Sequence, residues 1–178
     1  KNILVSFGNI DSKGLTEKVI KILQELTING ELDENLYRVN IILGKHKKNK
    51  TFIRKMISNY KNFKIFNNLN SLDKIYIDSD FAIGAPGFSQ VERVEYGIPT
   101  ILIAQNQTQK KLLTAWKESG CALIVKSIKR DLRPMVSLMV ESNQVKDNIK
   151  KIISQKFDGD GIYRILKKIE SYISDYNN

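Results

Sequence analysis

Cysteine and histidine are almost absent from this sequence: Cys121 and His46 stand alone in 178 residues. One cysteine excludes a disulfide scaffold and any multi-cysteine zinc or iron–sulfur centre. We therefore expect no metal site and no cofactor apart from a substrate. Arginine is also scarce, with 6 against 23 lysines, so the net charge of +10 is nearly all lysine. Arginine is the residue suited to bidentate contact with phosphate and guanine. The densest basic run, Lys45 to Lys50, offers no aromatic ring for stacking a base. A nucleic-acid partner is not expected. No apolar run approaches the roughly 20 residues that cross a bilayer, and no charged-then-apolar segment opens the chain. Membrane insertion is not expected, and a cytoplasmic location is.

What is present is a composition that folds: 42% hydrophobic and 27% charged residues, outside the ranges of disordered and collagen-like chains. The length suits one domain or half of a two-domain enzyme. The chain begins without Met, and an apolar strand starts at its second residue. We expect a further domain on the N-terminal side.

Short β-branched runs alternate with amphipathic stretches, the mark of βαβ units and a parallel sheet. Strands are predicted at Ile3–Phe7, Arg38–Leu43, Phe63–Phe66, Phe81–Ile83, Thr100–Ile103 and Ala122–Val125. Several are apolar on successive residues, as strands covered on both faces are. Helices are predicted at Leu15–Leu26, Phe52–Tyr60, Leu69–Ser79, Ser89–Tyr96 and Thr108–Ser119. Beyond Val125 the strand rhythm stops, and Arg130–Glu141, Gln144–Gln155 and Ile162–Ile173 read as helices. The expected fold is α/β, a Rossmann-like doubly wound parallel sheet over residues 1–125, with a helical extension over 126–178 packed against it.

In such sheets ligands bind beyond the carboxyl ends of the strands, where strand order reverses. Three loops fall at that edge. Gly8-Asn9-Ile-Asp11-Ser12-Lys-Gly14 follows the first strand and exposes backbone N–H groups at a helix start, an arrangement that suits an anion. It equally fits a turn in which Asp11 or Ser12 caps the helix. Ile83-Gly84-Ala85-Pro86-Gly87-Phe88-Ser89 leads from a strand into a short helix that Gly97 and Pro99 end. Phosphate could approach that backbone, with Ser89 adding a hydroxyl and Glu92 lying one turn further on. Ser89-x-x-Glu92 is also a capping box, in which Glu92 would turn back on the Ser89 backbone. The third loop, Ala104-Gln105-Asn106-Gln107-Thr108, carries amides able to donate to and accept from sugar hydroxyls.

Taken together, Gly84-Ala-Pro-Gly-Phe-Ser-x-x-Glu92-Arg93, Gly97-Ile-Pro-Thr-Ile-Leu-Ile103 and Asn106-Gln107 resemble the C-terminal nucleotide-binding domain of GT-B enzymes. The resemblance is strongest to the UDP-sugar hydrolase of pseudaminic acid biosynthesis and its spore-coat polysaccharide relatives, and more distant to the peptidoglycan N-acetylglucosaminyltransferase MurG. Gly8 to Leu15 matches the family's first glycine loop, and Asp158-Gly-Asp-Gly-Ile-Tyr-Arg164 is similar to the element before its last helix. The resemblance implies a UDP-sugar ligand, with the amides of Phe88 and Ser89 beside Gly87 on the diphosphate and Glu92 on the ribose. It further implies main chain at Phe66 on uracil, Gly8 and Asn9 at the first loop, and Gln105, Asn106 and Gln107 toward the sugar. Two departures stand out: Pro86 removes an N–H from the cradle, and Phe88 replaces a small polar residue.

The resemblance also implies that the catalytic histidine belongs to an N-terminal domain, so this segment alone would bind nucleotide without turning it over. His46 reads as a solvated residue away from these loops, Asp11 as a cap, and Trp116 and Cys121 as core. Asp78 and Asp80 precede a strand, the wrong edge for a metal-binding carboxylate pair. The expected function is release of UDP from a nucleotide sugar by hydrolysis. The alternatives are a GT-B glycosyltransferase domain and a degenerate module that keeps the fold without catalysis.

Overall fold

Ile3, Leu4 and Val5 are all fully buried, so both faces of the first strand are covered, as the run of apolar residues requires. The computed structural model describes residues 1–176. Its strands are β1 (Asn2–Ser6), β2 (Arg38–Ile42), β3 (Phe63–Phe66), β4 (Phe81–Gly84), β5 (Thr100–Ile103) and β6 (Ala122–Val125). They form one sheet in the order β3-β2-β1-β4-β5-β6, every neighbouring pair parallel. This is the doubly wound arrangement expected from the sequence. The order reverses between β1 and β4, which places a crevice beyond Ser6 and Gly84, partners in register.

The helices between strands are α1 (Leu15–Ile28), α2 (Lys50–Ile57), α3 (Asp73–Ile77), α4 (Phe88–Glu95) and α5 (Gln107–Ser119). On α1 the residues Leu15, Val19, Ile20, Leu23 and Leu26 are buried at helical spacing. Burial of each such side chain contributes about 1.5–3 kcal/mol. The third helix is shorter than its apolar pattern predicts. Ser71 Oγ donates to Asp73 Oδ2 at 2.6 Å and accepts from the Asp73 amide, so a local turn delays the start.

After β6 a turn of π-helix, Ile128–Leu132, leads into α6 (Arg133–Glu141) and α7 (Asn143–Lys156). Asp131 organises that turn by accepting from the amides of Lys126 and Ser127 at 3.0 and 2.8 Å. Val136 and Met139 of α6 and Ile149 and Ile153 of α7 join the main core, where Cys121 is also fully buried. Trp116 is half-buried and its ring stacks on Phe157, centroids 6.1 Å apart. The last helix, α8 (Gly161–Tyr176), contains no buried residue, and its Ile162, Ile165, Leu166, Ile169 and Ile173 are all exposed. No helix of the described residues is long and apolar enough to cross a membrane.

Candidate functional site

At the strand-order reversal lies a cavity of about 370 Å³, within the size range of small-ligand sites. Its walls come from the end of β1 with the loop after it (Ser6 to Ser12), from Ala85, Gly87, Phe88 and Ser89 after β4, and from Gln105, Asn106 and Gln109 after β5. All three loops singled out in the sequence therefore meet in one place. A larger open cleft of about 1300 Å³ lies between α1 and α5, edged by Lys13, Lys18, Lys21, Lys110 and Lys117. It lies off the strand-order reversal and takes only Lys13 from the first glycine loop and nothing from the loop after β4, so we place the candidate site in the smaller cavity.

The wall after β4 is the start of α4. Gly87 is its N-cap in extended conformation, and no side chain caps the helix. The amides of Phe88 and Ser89 therefore stand outside the helical ladder, with the positive end of the helix dipole behind them. The capping box that Ser89 and Glu92 could have formed is not made. Ser89 is the second residue of the helix, and Glu92 Oε2 instead accepts from the Tyr76 hydroxyl at 2.9 Å. Burial, followed by this hydrogen bond to Glu92, pushes the Tyr76 hydroxyl's pKa up, so it stays protonated and donating. Glu92 is exposed on α4, one turn past the cavity wall. Phe88 is 91% exposed and its ring does not fill the cradle. Pro86 is buried and is not part of the wall.

The first loop is held by charge. Asp11, at φ 44°, accepts from the amides of Leu15 and Thr16 at 2.8 and 3.0 Å and so caps α1 through its side chain. It also pairs with Lys47 Nζ at 3.1 Å, which pairs in turn with Glu17 at 2.9 Å. Burial alone would raise the Asp11 pKa; the bonds from Thr16, Leu15 and Lys47 outweigh burial and hold it below the usual carboxylate value. Lys47, also buried, is opposed by desolvation yet held above its ordinary value by hydrogen bonds to Glu17 and Asp11. The Lys45 to Lys50 run is thus not uniformly solvated. His46 remains exposed, but it is not remote from the loops: its amide donates to Asn9 Oδ1 at 3.4 Å.

That contact follows from Gly44, which the sequence reading did not single out. A Cβ there would lie 2.4 Å from Asn9 Cα and 2.5 Å from the carbonyl oxygens of Gly8 and Asn9. Only glycine lets the loop after β2 approach so closely. No local pattern marks it, because its partner is 35 positions earlier in the chain.

Gln105 is nearly buried, and its Nε2 donates to the Phe7 carbonyl at 2.7 Å, tying the β5 loop to β1. Asn106 caps α5 by accepting from the Gln109 amide at 2.8 Å, with its side chain still on the cavity wall. Gln107 is exposed and outside that wall, a place that Gln109 takes. Phe66 ends β3, two strands from β1, and its carbonyl accepts from the Leu43 amide at 3.0 Å. The structure does not bring Phe66 into the cavity. Asp158 binds Arg164 through both carboxylate oxygens at 2.7 and 3.1 Å, forming an exposed turn directly before α8. Asp80 accepts from the Asn2 amide at the opposite end of the sheet. Among the described residues no group of three or more His, Cys, Asp or Glu is arranged to hold a metal ion.

No family model matches the chain. It is 30% identical over 114 residues to an uncharacterized protein of Methanocaldococcus jannaschii, a match spanning 62% of this chain and 22% of that protein. It is 25% identical over 123 residues to the spore coat polysaccharide biosynthesis protein SpsG of Bacillus subtilis, spanning 69% of this chain and 35% of SpsG. The chain thus matches about a fifth to a third of the length of these relatives. Its fold is shared with the S. aureus MnaA structure solved with UDP: TM-score 0.78 at 16% identity, over 98% of this chain and 46% of that one. Glycosyltransferases share it too, with TM-scores of 0.69 to 0.71 over 95% to 97% of this chain. The chain therefore has the fold of one half of such GT-B-type enzymes.

Proposed function

We propose that this chain is the UDP-sugar-binding half of a two-domain enzyme of surface polysaccharide or nonulosonic acid biosynthesis, and that the complete enzyme releases UDP by hydrolysis. The observation that carries the reading is the pair of uncapped amides, Phe88 and Ser89, at the cavity formed where strand order reverses. A diphosphate suits that position because it accepts from both amides and sits on the helix dipole. The exposed, pre-oriented Glu92 carboxylate lies one turn away and suits the ribose hydroxyls. The likeness to SpsG supports the polysaccharide context, and MnaA bound to UDP supports the ligand class.

The residues around the cavity bind rather than react. Among the described residues Asp11 is the one ionisable side chain in its wall, and its oxygens are engaged by two amides and Lys47. A carboxylate held ionised and fully engaged is a poor general base. The group that activates water would then come from a second domain, facing the crevice. The uncovered apolar stripe of α8 and the larger size of the relatives support such a domain.

The test is isothermal titration with UDP against CMP, ADP and GDP, followed by assay of the full-length protein with a UDP-sugar and water as the sole acceptor. UDP release under those conditions supports the hydrolase. A requirement for a sugar or lipid acceptor makes the enzyme a glycosyltransferase, and absence of nucleotide binding in the full-length protein removes the proposal.

A further inference from the structure

Arg93 lies on α4 with no exposed surface at all, the largest side chain so enclosed. Its Nε donates to Gln90 Oε1 at 2.9 Å and its Nη2 to the Ala85 carbonyl at 2.7 Å. Among the described residues the Nη1 has no hydrogen-bond partner, and neither does the Nε2 of the equally buried Gln90. Among the described residues no carboxylate forms an ion pair with this guanidinium. The Glu92 carboxylate beside it in sequence is exposed and turned to Tyr76. Desolvation pulls the Arg93 pKa down to about 10, outweighing the charge interactions with Tyr76 and Glu92 that oppose it.

Its place is equally specific. A Cβ on Gly84 would sit 2.6 Å from Arg93 Nη1 and 2.5 Å from the Ser6 carbonyl, so the guanidinium lies directly behind the end of β4. Ser6 and Ala85, which flank it, are cavity wall. Buried charges are normally paired, because an uncompensated one costs several kcal/mol. The cavity in front of the loop, walled by Ser6, Ala85, Phe88 and Ser89 and bordered by the uncapped start of α4, is a position that a counter-charge can take.

Building on the diphosphate reading above, we infer that Arg93 is the fixed counter-charge of this site. It acts from behind the β4 loop, holding the Ala85 carbonyl in place and favouring a phosphate anion over the neutral nucleoside, without touching the ligand. It is a positioning residue whose field, shielded from salt by burial, biases the cavity toward the charged ligand.

The test compares the affinity of the chain for UDP and for uridine, followed by amide chemical shifts, in wild type, Gln90→Glu and Arg93→Lys. Gln90→Glu keeps the shape, retains an acceptor for Arg93 Nε and sets a carboxylate against the guanidinium, supplying the absent partner from within. The expected result is a raised thermal midpoint without ligand and a UDP-to-uridine affinity ratio about tenfold lower, the scale of one charge-assisted interaction. Arg93→Lys, which keeps the charge, should retain most of that ratio. A Gln90→Glu protein that is less stable and has an unchanged ratio overturns the inference, as does loss of UDP and uridine binding by the same factor. Failure of the wild type to prefer UDP over uridine overturns the nucleotide-site reading itself, and this inference with it.

Discussion

The Tyr76 hydroxyl donates to Glu92 Oε2 at 2.9 Å, joining α3 to α4 beside the crevice at the strand-order reversal. Tyr76 is itself fixed, 3% exposed and packed against the Tyr96 ring with centroids 5.2 Å apart. The bond holds one carboxylate oxygen and leaves the other available. A carboxylate already held in position loses less freedom when a ligand arrives.

Glu92→Ala is expected to weaken UDP binding by about 1–3 kcal/mol, the scale for hydrogen bonds to a charged group. Tyr76→Phe should cost less, about 0.5–1.5 kcal/mol, because it frees the carboxylate without removing it. Titration with 2′-deoxy-UDP separates the ribose role from a general effect. The Glu92→Ala loss should be smaller with that ligand than with UDP, and equal losses would place Glu92 elsewhere.

The six strands were legible because each is a short apolar run that local sequence specifies, and Ile101-Leu102-Ile103 is buried throughout as that pattern requires. The three loops were legible because glycines and amides at strand ends are local signals. What stayed hidden depends on partners distant in sequence. Nothing around Lys47 distinguishes it from its solvated neighbours, since its acidic partners lie 30 and 36 positions away. Gln105 reads as a polar group free for a sugar until its amide is seen on the Phe7 carbonyl, 98 positions away. The Ser89-x-x-Glu92 spacing fits a capping box, and a third residue, Tyr76, draws the glutamate elsewhere.

The Asp11–Lys47–Glu17 cluster sets a pH window. Asp11 has a depressed pKa in the folded state, so its contribution is present above the unfolded value of about 3.9 and disappears as pH falls through the folded one. Lys47 has a raised pKa, so its contribution is complete below the unfolded value of about 10.4 and fades as pH rises through the folded one. Urea unfolding should therefore show Asp11→Asn to be less stable than wild type by about 1–3 kcal/mol at pH 7, from the weakened cap and charge pair. That difference should start to shrink below about pH 4 and go on shrinking as pH falls through the lowered folded-state value, where the wild-type carboxylate is protonated too. A gap that stays constant into acid would mean that the ion pair contributes nothing.

Gly44→Ala should damage the first loop from behind. The new Cβ would meet the backbone of Gly8 and Asn9 at 2.4 to 2.5 Å, and backbone cannot swing aside as a side chain can. The expected destabilisation is about 1–3 kcal/mol, in line with overpacking at a tight contact. UDP affinity should fall as well, because the displaced residues line the cavity. Gly30→Ala serves as control, since a Cβ there meets nothing within 4 Å, though its φ of +74° adds strain. It should lower stability without changing UDP affinity once the protein is folded. Equal loss of UDP affinity in the two variants would separate Gly44 from the site.

Removal of α8 tests how far the domain depends on its last helix. Ile162, Ile165, Leu166, Ile169 and Ile173 are 47% to 72% exposed, and no residue of the helix is buried, so α8 contributes almost no core. Its exposed apolar stripe is where the proposed second domain would pack. The core ends earlier, with Ile149 and Ile153 of α7 and the Phe157 ring against Trp116. A chain stopped after Phe157 should unfold within about 0.5 kcal/mol of the intact one, the usual range for changes away from packed features. It should also stay monomeric at concentrations where the intact chain, carrying that exposed stripe, self-associates in sedimentation. A drop of several kcal/mol on truncation would mean that α8 packs against this domain in solution, and the stripe would then be part of its core rather than a docking face.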